Sequence, residues 1–102
     1  MGLKDVRIKA IKCLENGDIM HSERNHDSID DKNLLACNKV QPDYVIMLLR
    51  KTTGLEYEES EHHYLETVSV HVCKPIWEGK RWYVKFHFEE ANIVFLSVHL
   101  SL

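Results

Sequence analysis

The apolar residues of the chain follow a helical period in its first half and a strand period in its second half. Over Leu3–Asn16 they recur at the spacing of an amphipathic helix, and Gly17 follows as a natural C-cap. A second helix is predicted to begin at Pro42, because proline suits the first turn of a helix, and to end at Gly54. A short helix is predicted between them, over residues 29–40.

Beyond Gly54, apolar and polar residues alternate, which is typical of strands that are buried on one side. Glu78-Gly79 suits a hairpin turn between two of these strands. Strands are predicted over residues 64–73, 80–89 and 93–100, with 57–61 as a weaker strand or a connector. Helices followed by antiparallel strands indicate one α+β domain spanning residues 1–102, with its N-terminal helices packed on the apolar face of a C-terminal antiparallel β-meander.

The alternation also assigns the strand residues to two faces of the predicted sheet. The apolar face is predicted to hold Val68, Val70, Val72, Trp82, Val84, Phe86, Phe88, Val94, Leu96, Val98 and Leu100. The polar face is predicted to hold Ser69, His71, Cys73, Arg81, Tyr83, Lys85, His87, Phe95, Ser97 and His99. Any chemistry of this chain is therefore expected on the polar face.

Several side chains of the polar face suit the cleavage of RNA without a metal ion. The reaction needs a base for the proton of the 2′-OH, an acid for the leaving 5′ oxygen, and cations near the phosphate. Histidine can serve as base or acid, tyrosine as a donor, and lysine or arginine as a phosphate ligand. The candidates are His71, Arg81, Tyr83, Lys85, His87 and His99. Solvent-exposed strands carry the same residue types, so the pattern alone favours a plain solvated surface.

The net charge of −3 predicts no general attraction to nucleic acid, but the charges are unevenly distributed. Residues 54–66 contain five acids and no lysine or arginine: Glu56, Glu58, Glu59, Glu61 and Glu66. Residues 71–88 contain four basic residues against the single acid Glu78: Lys74, Lys80, Arg81 and Lys85. A basic patch on an acidic protein is therefore expected around the hairpin.

The composition argues against disulfide-stapled, metal-containing and membrane-spanning proteins. The three cysteines, Cys13, Cys37 and Cys73, form no C-x-x-C pair, which indicates thiols in a reducing cytoplasm. Adjacent His62 and His63 would point to opposite faces of a strand, so no metal site is expected. No P-loop, dinucleotide fingerprint or G-x-S-x-G motif occurs, and no cofactor is expected. Since no apolar run approaches the roughly 18 residues of a membrane span, no membrane partner is expected.

Three stretches of the sequence have a layout that resembles a known family. The first is IKCLENGDI, at the end of the first predicted helix. The second is DYVIMLLRKTTGLEY, which covers the helix predicted from Pro42 and the residues that follow it. The third is VHVCKP followed by GKRWYVKFHFEEANIVFLSVH, in the predicted strands. Their order, over residues 8–99, resembles the MqsR-type toxins, small bacterial mRNA interferases of the wider RelE-like ribonuclease group. The resemblance implies a RelE-like fold and a cytoplasmic, metal-independent RNA endonuclease, the toxin of a type II toxin–antitoxin pair. It also implies mRNA as substrate and a cognate antitoxin protein as partner, and a homodimer is compatible with it.

The resemblance assigns roles to residues of the third stretch. The family's catalytic tyrosine falls on Tyr83 and its following lysine on Lys85, while a basic residue before proline falls on Lys74. His99 stands where the family has a catalytic lysine, so Tyr83 and His99 are expected to carry proton transfer. The remaining expected roles are phosphate binding by Lys74, Lys80, Arg81 and Lys85, and a general base at His71 or His63.

A function of another class also suits the sequence. The chain is compatible with a non-enzymatic binding protein, such as an immunity or regulatory protein. The acidic segment of residues 56–66 would then be the working surface and would meet a basic partner.

Overall fold

The computed structural model describes residues 2–22, 33–61 and 68–101 of the chain. The helices and strands in this part of the chain are α1 (Leu3–Asn16), β1 (Ile19–His21), α2 (Pro42–Lys51), β2 (Tyr57–Glu61), β3 (Ser69–Cys73), β4 (Ile76–Trp77), β5 (Lys80–Glu89) and β6 (Asn92–Leu100). A single helical turn, Gly54–Glu56, precedes β2. Helices together with a sheet make an α+β fold, as the sequence predicts.

α1 has the bounds that its apolar stripe and Gly17 predict. Gly17 adopts φ = 78°, a left-handed conformation that glycine reaches without strain, and its N–H points to the carbonyls of Cys13 and Leu14. The helix buries Val6 and Ala10 as well as these two residues against the sheet. Neither helix in the described ranges is long and apolar enough to cross a membrane.

α2 begins at Pro42, as predicted, but ends at Lys51, before Gly54 is reached. The Thr52 hydroxyl donates to the Leu48 carbonyl at 2.9 Å, and Thr52 itself has an extended backbone. This hydrogen bond satisfies one of the carbonyls that lack an intrahelical partner at a helix end. The helix therefore stops on a threonine cap, not on the glycine that the sequence predicts.

The helix predicted over residues 29–40 is wrong for the part that the structure describes. Asn33 forms an isolated β-bridge with Val98, residues 34–40 form turns and bends, and residues 29–32 lie outside the described ranges. The Asn33 side chain is buried, and its Oδ1 accepts a hydrogen bond from the Ala36 N–H at 3.1 Å. A local bond of this kind competes with helix formation and stabilises a turn.

The strands form one mixed sheet in the order β1-β6-β5-β3-β2, with β4 paired to β5. β2, β3, β5 and β6 are joined by antiparallel pairing. β1 adds a parallel edge strand to β6, so the sheet is not the purely antiparallel meander that the sequence predicts. The helices cover one face, where the core includes Val45, Leu48, Val84, Phe86 and Val98.

The hairpin between β4 and β5 turns at Glu78-Gly79, as predicted. Both residues have positive φ, 51° and 76°, which is the backbone of a two-residue turn whose twist matches the flanking strands. Trp77 pairs with Lys80 across this turn. Lys51 Nζ from α2 lies 5.0 Å from the centroid of a Trp77 ring, so this pair is on the helix side of the sheet.

Within the segments that pair with each other, β6 contains one residue more than β5, and this bulge changes the faces of β6. Lys85 pairs with Ser97, but Phe86 pairs with Phe95, which leaves Leu96 as the extra residue. Phe95 therefore shares the helix-covered face with Phe86 and is fully buried. Its predicted place on the polar face is wrong, because a strict alternation takes no account of an extra residue.

The two faces of β3 are reversed relative to the prediction. His71 and Cys73 pair with core residues of β5 and face the helices, whereas Val72 pairs with Lys85 on the other face. Val70 and Val72 are 3% and 7% exposed, and His71 is 3% exposed, so both faces of the strand are buried. A strand buried on both faces has no polar alternation from which its register can be read.

Candidate functional site

Tyr83 and His99 form the centre of the candidate site. They are cross-strand neighbours on β5 and β6 and lie on the sheet face opposite the helices, which we call the outer face. Their rings stack, with centroids 5.2 Å apart and planes inclined by 19°. Lys85 and Ser97 form the next polar pair on this face. The fold thus brings together three of the residues predicted to do chemistry, Tyr83, Lys85 and His99.

Lys74 and Lys85 are the basic residues next to Tyr83. Lys74 Nζ lies 5.9 Å from the centroid of the Tyr83 ring. Lys85 follows Tyr83 on the same face of β5, about 7 Å along the strand. Both lysines therefore lie next to Tyr83 on the outer face. We call these four residues, Lys74, Tyr83, Lys85 and His99, the Tyr83 site.

Two ion pairs join the basic residues of the outer face to the acidic segment. Lys74 Nζ lies 3.8 Å from Glu58 Oε2, and Arg81 Nη1 lies 3.8 Å from Glu56 Oε2. Arg81 also donates a hydrogen bond to the Lys74 carbonyl at 2.6 Å. Sequence reasoning treated the acidic and basic segments separately and missed these pairs. The sequence carries no local signal for these pairs, because Glu56 is in the turn Gly54–Glu56 and Glu58 is in β2.

Lys80, predicted to bind phosphate, is not brought to the Tyr83 site. It pairs with Trp77 on the helix side of the sheet, while Arg81, the next residue, is on the outer face. Successive residues of a strand point to opposite faces, so only one of these two neighbours can reach a phosphate over Tyr83.

The hydrogen bond of His99 determines which ring nitrogen is available for proton transfer. His99 Nδ1 lies 2.8 Å from the Leu100 carbonyl oxygen. A carbonyl can only accept, so Nδ1 carries the hydrogen and the lone pair of the neutral ring is on Nε2. His99 therefore offers a base at Nε2, while stacking on Tyr83 orients the ring.

Tyr83 keeps its proton at neutral pH. Its burial, together with the negative charge of Glu58, raises the pKa of Tyr83 above the ordinary value for tyrosine. The phenol is therefore protonated at neutral pH and can act as a hydrogen-bond donor or as an acid. Tyr83 and His99 together provide one acid and one base on the same surface.

His71, a candidate base, lies on the helix-covered face and is not brought to the Tyr83 site. Its Nδ1 is 2.8 Å from the Tyr57 hydroxyl and 3.8 Å from Glu59 Oε1. Burial lowers the pKa of His71 and raises the pKa of Tyr57 to about 12, so a neutral imidazole bonds to a protonated phenol. The sheet separates His71 from Tyr83, and His71 acts as a core residue. His63, the other candidate base, lies outside the described residues.

The free energy of unfolding is expected to fall as the pH drops below about 6.5. Burial lowers the pKa of both His21 and His71 in the folded chain, so in this range the unfolded chain binds more protons. The stabilisation is complete above the unfolded pKa and is lost as the pH falls toward the folded pKa values. His21 Nδ1 also accepts a hydrogen bond from Asn33 Nδ2 at 3.1 Å, which protonation of Nδ1 would break.

Urea unfolding at several pH values measures this change. A His71→Phe variant removes one of the two buried imidazoles, so its stability should depend less steeply on pH than that of the wild-type chain. Equal unfolding free energies on both sides of pH 6.5 in the wild-type chain would contradict the expectation.

The outer face is open around the Tyr83 site and closed toward the other end of β5. His87 is 4% exposed, pairs with Val94, and has its Nε2 3.3 Å from Glu89 Oε2. The bulge places Val94 here, although alternation predicts it on the apolar face. A substrate therefore has access to Tyr83 and its partly exposed neighbours, but not to His87.

The cysteine and metal candidates add no chemistry to the site. Cys73, predicted on the polar face, faces the helices and is 1% exposed. Burial raises the pKa of its thiol to about 12, so the sulfur is protonated and a poor nucleophile. In the part of the chain that the structure describes, no three His, Cys, Asp or Glu side chains are placed to hold a metal ion.

Models of known protein families, curated proteins and solved structures all give no match to this chain. The function of the Tyr83 site therefore has to be inferred from its geometry and from the family-like layout of the sequence.

Proposed function

We propose that this chain is a metal-independent RNA endonuclease, an mRNA interferase of the MqsR and RelE-like type that the sequence resembles. The observation that carries the proposal is the stacked pair of Tyr83 and His99 with Lys74 and Lys85 beside it. An acid, a base and cations on one partly exposed surface are the groups that cleavage of RNA needs when no metal takes part.

The protonation states of the two central residues assign the steps of the reaction. His99 Nε2 removes the proton of the 2′-OH, and O2′ attacks the phosphorus to form a 2′,3′-cyclic phosphate. The bond from phosphorus to O5′ breaks, and the Tyr83 hydroxyl gives its proton to the leaving O5′. Lys74 and Lys85 offset the negative charge that develops on the phosphate oxygens and then on the phenolate. Proton exchange with solvent restores both side chains.

A RelE-like fold, a cytoplasmic location and an antitoxin partner belong to the same proposal. The helices cover one sheet face, and the Tyr83 site is on the other, where a partner can bind without disturbing the core. An antitoxin that covers this site would block access of RNA. Acidic residues on such a partner would be attracted by Lys74 and Lys85.

The arrangement of the acidic segment favours the endonuclease over a binding protein. Glu56 and Glu58 lie at ion-pair distance from Arg81 and Lys74 of the same chain. Glu59 lies on the helix side, near His71. These carboxylates do not form one acidic surface directed at a basic partner, as the alternative function requires.

Incubation of the purified protein with mixed RNA in EDTA tests the proposed function. Naked RNA is supplied in EDTA, a second preparation supplies RNA on translating ribosomes in the Mg²⁺ buffer that keeps them intact, and the ends of the fragments are analysed. We expect fragments that end in a 2′,3′-cyclic phosphate and begin with a 5′-hydroxyl, because the attacking oxygen is the 2′-OH of the RNA. Absence of cleavage in both preparations would contradict an endonuclease.

Lys85→Ala and Lys80→Ala are matched variants for this assay. Each removes one lysine from β5, but Lys85 is next to Tyr83 on the outer face and Lys80 is on the helix side. Lys85→Ala should lower the cleavage rate by about tenfold or more, because a cation near the phosphate is lost. Lys80→Ala should leave the rate within about twofold of the wild type.

A further inference from the structure

Arg81 and Ile76 form a partly exposed pair next to the Tyr83 site. They are cross-strand partners on β5 and β4. Arg81 precedes Tyr83 on the same face of β5, at a distance of about 7 Å along the strand. The exposed fraction is 50% for Ile76 and 43% for the Arg81 side chain. Ile76 contributes nothing to the core and has no part in the proton transfers.

The guanidinium group of Arg81 is held at its edge. Its Nη1 donates to the Lys74 carbonyl at 2.6 Å and lies 3.8 Å from Oε2 of Glu56. Hydrogen bonds of a guanidinium lie in its plane, so this arrangement leaves the planar faces for stacking. Arg81 is therefore suited to stack on a flat ligand.

We propose that Arg81 and Ile76 bind an unpaired nucleobase next to the phosphate that is cleaved. The base stacks on the guanidinium and contacts the Ile76 side chain, while the phosphate lies over Tyr83. This inference rests on the proposed function, and it requires an unpaired base, because a base inside a duplex must first leave its stack. It gives Arg81 a role different from the phosphate binding that its charge predicts.

Binding of an uncleavable RNA measures this subsite without any reaction. The probe is a short single-stranded oligonucleotide with 2′-O-methyl groups throughout, compared by fluorescence anisotropy with an abasic version of the same length. Ile76→Ala and Arg81→Lys should each weaken binding of the oligonucleotide that carries bases by about tenfold. Each should change binding of the abasic version by less than about twofold, since Ile76 carries no charge and Arg81→Lys keeps the positive charge while it removes the planar group.

Leu100→Ala is the control variant. Leu100 is exposed to a similar degree, 36%, but it pairs with Trp82 and so is not on the outer face. This variant should bind both oligonucleotides like the wild type. Urea unfolding of each variant establishes that it is folded. Ile76→Ala is expected to be folded, because the Ile76 side chain lies half in solvent.

Three results would overturn the subsite: unchanged binding in both variants, equal losses with and without bases, or no binding of either oligonucleotide by the wild type. Equal losses would identify Arg81 as a phosphate ligand.

Failure of the proposed function gives a different set of results from failure of the subsite. If the wild-type chain binds the oligonucleotide that carries bases but cuts no RNA in EDTA, the subsite is supported and the endonuclease proposal is contradicted. If RNA is cut and the variants bind normally, only the subsite is lost.

Discussion

Replacement of His99 by alanine is expected to lower the rate of RNA cleavage by about 10²- to 10⁴-fold, the usual contribution of one general base. The variant loses the Nε2 atom that accepts the proton of the 2′-OH, while Tyr83 and both lysines of the site stay in place. The fold should be retained, because His99 is only partly buried and its ring stacks on Tyr83 on the outer face, away from the core.

Single-turnover cleavage of RNA in EDTA measures this loss, and urea unfolding confirms that the variant is folded. His99→Gln separates proton transfer from hydrogen bonding, because glutamine offers a donor but cannot accept and release a proton in this pH range. It should be as slow as His99→Ala. In bacteria, expression of the wild-type chain should arrest growth and His99→Ala should relieve the arrest. A His99→Ala chain that stays fully toxic, or a fast His99→Gln enzyme, would exclude His99 as the base.

Replacement of Phe95 by alanine is expected to lower the free energy of unfolding by about 3–5 kcal/mol. Phe95 is fully buried on the helix-covered face, with its ring centroid 5.9 Å from that of Phe86 and 6.0 Å from that of His21. Alanine would leave a cavity between these rings. Because small domains are stable by about 5–15 kcal/mol, the loss would be a large part of the total.

Leu96→Ala is the matched control, since it tests the neighbouring residue of the same strand. Leu96 is the extra residue of the bulge and only half-buried, so its truncation should cost less than about 1.5 kcal/mol. Equilibrium unfolding in urea gives both values. If Leu96→Ala were the more destabilising variant, Leu96 would point into the core and Phe95 outward, as an uninterrupted alternation predicts, and the bulge would be wrong.

The elements that could be predicted from the sequence are those with a local physical signal at each end. α1 ends where Gly17 can adopt a left-handed backbone. The hairpin turns at Glu78-Gly79, where both residues adopt positive φ. β5 has its predicted bounds because one of its faces lies on the core and the other carries Arg81, Tyr83 and Lys85. In each case a few neighbouring residues determine the conformation.

The features that could not be predicted depend on partners distant in sequence. β1 has three residues and is a strand only because β6 lies beside it. The register of β3 is not visible in its sequence, because valines are buried on one face and His71 and Cys73 on the other. Alternation therefore predicts His71 on the face of Tyr83, and this prediction is wrong because both faces of β3 are buried. Tyr83, Lys85 and His99 share a face as predicted, because all three follow the regular pairing of β5 with β6 on one side of the bulge.

The extra residue at Leu96 makes the length of β6 adjustable at this one position. Without Leu96, Phe95 would be followed by Ser97, and core and outer residues would alternate without interruption to His99. A chain one residue shorter here would keep Phe95 in the core and His99 beside Tyr83, and would lose only the added twist of the bulge. Elsewhere in a central strand a deletion of one residue reverses every side chain beyond it. Homologous chains are thus expected to differ in length between Phe95 and Ser97 while their reactive residues still superimpose.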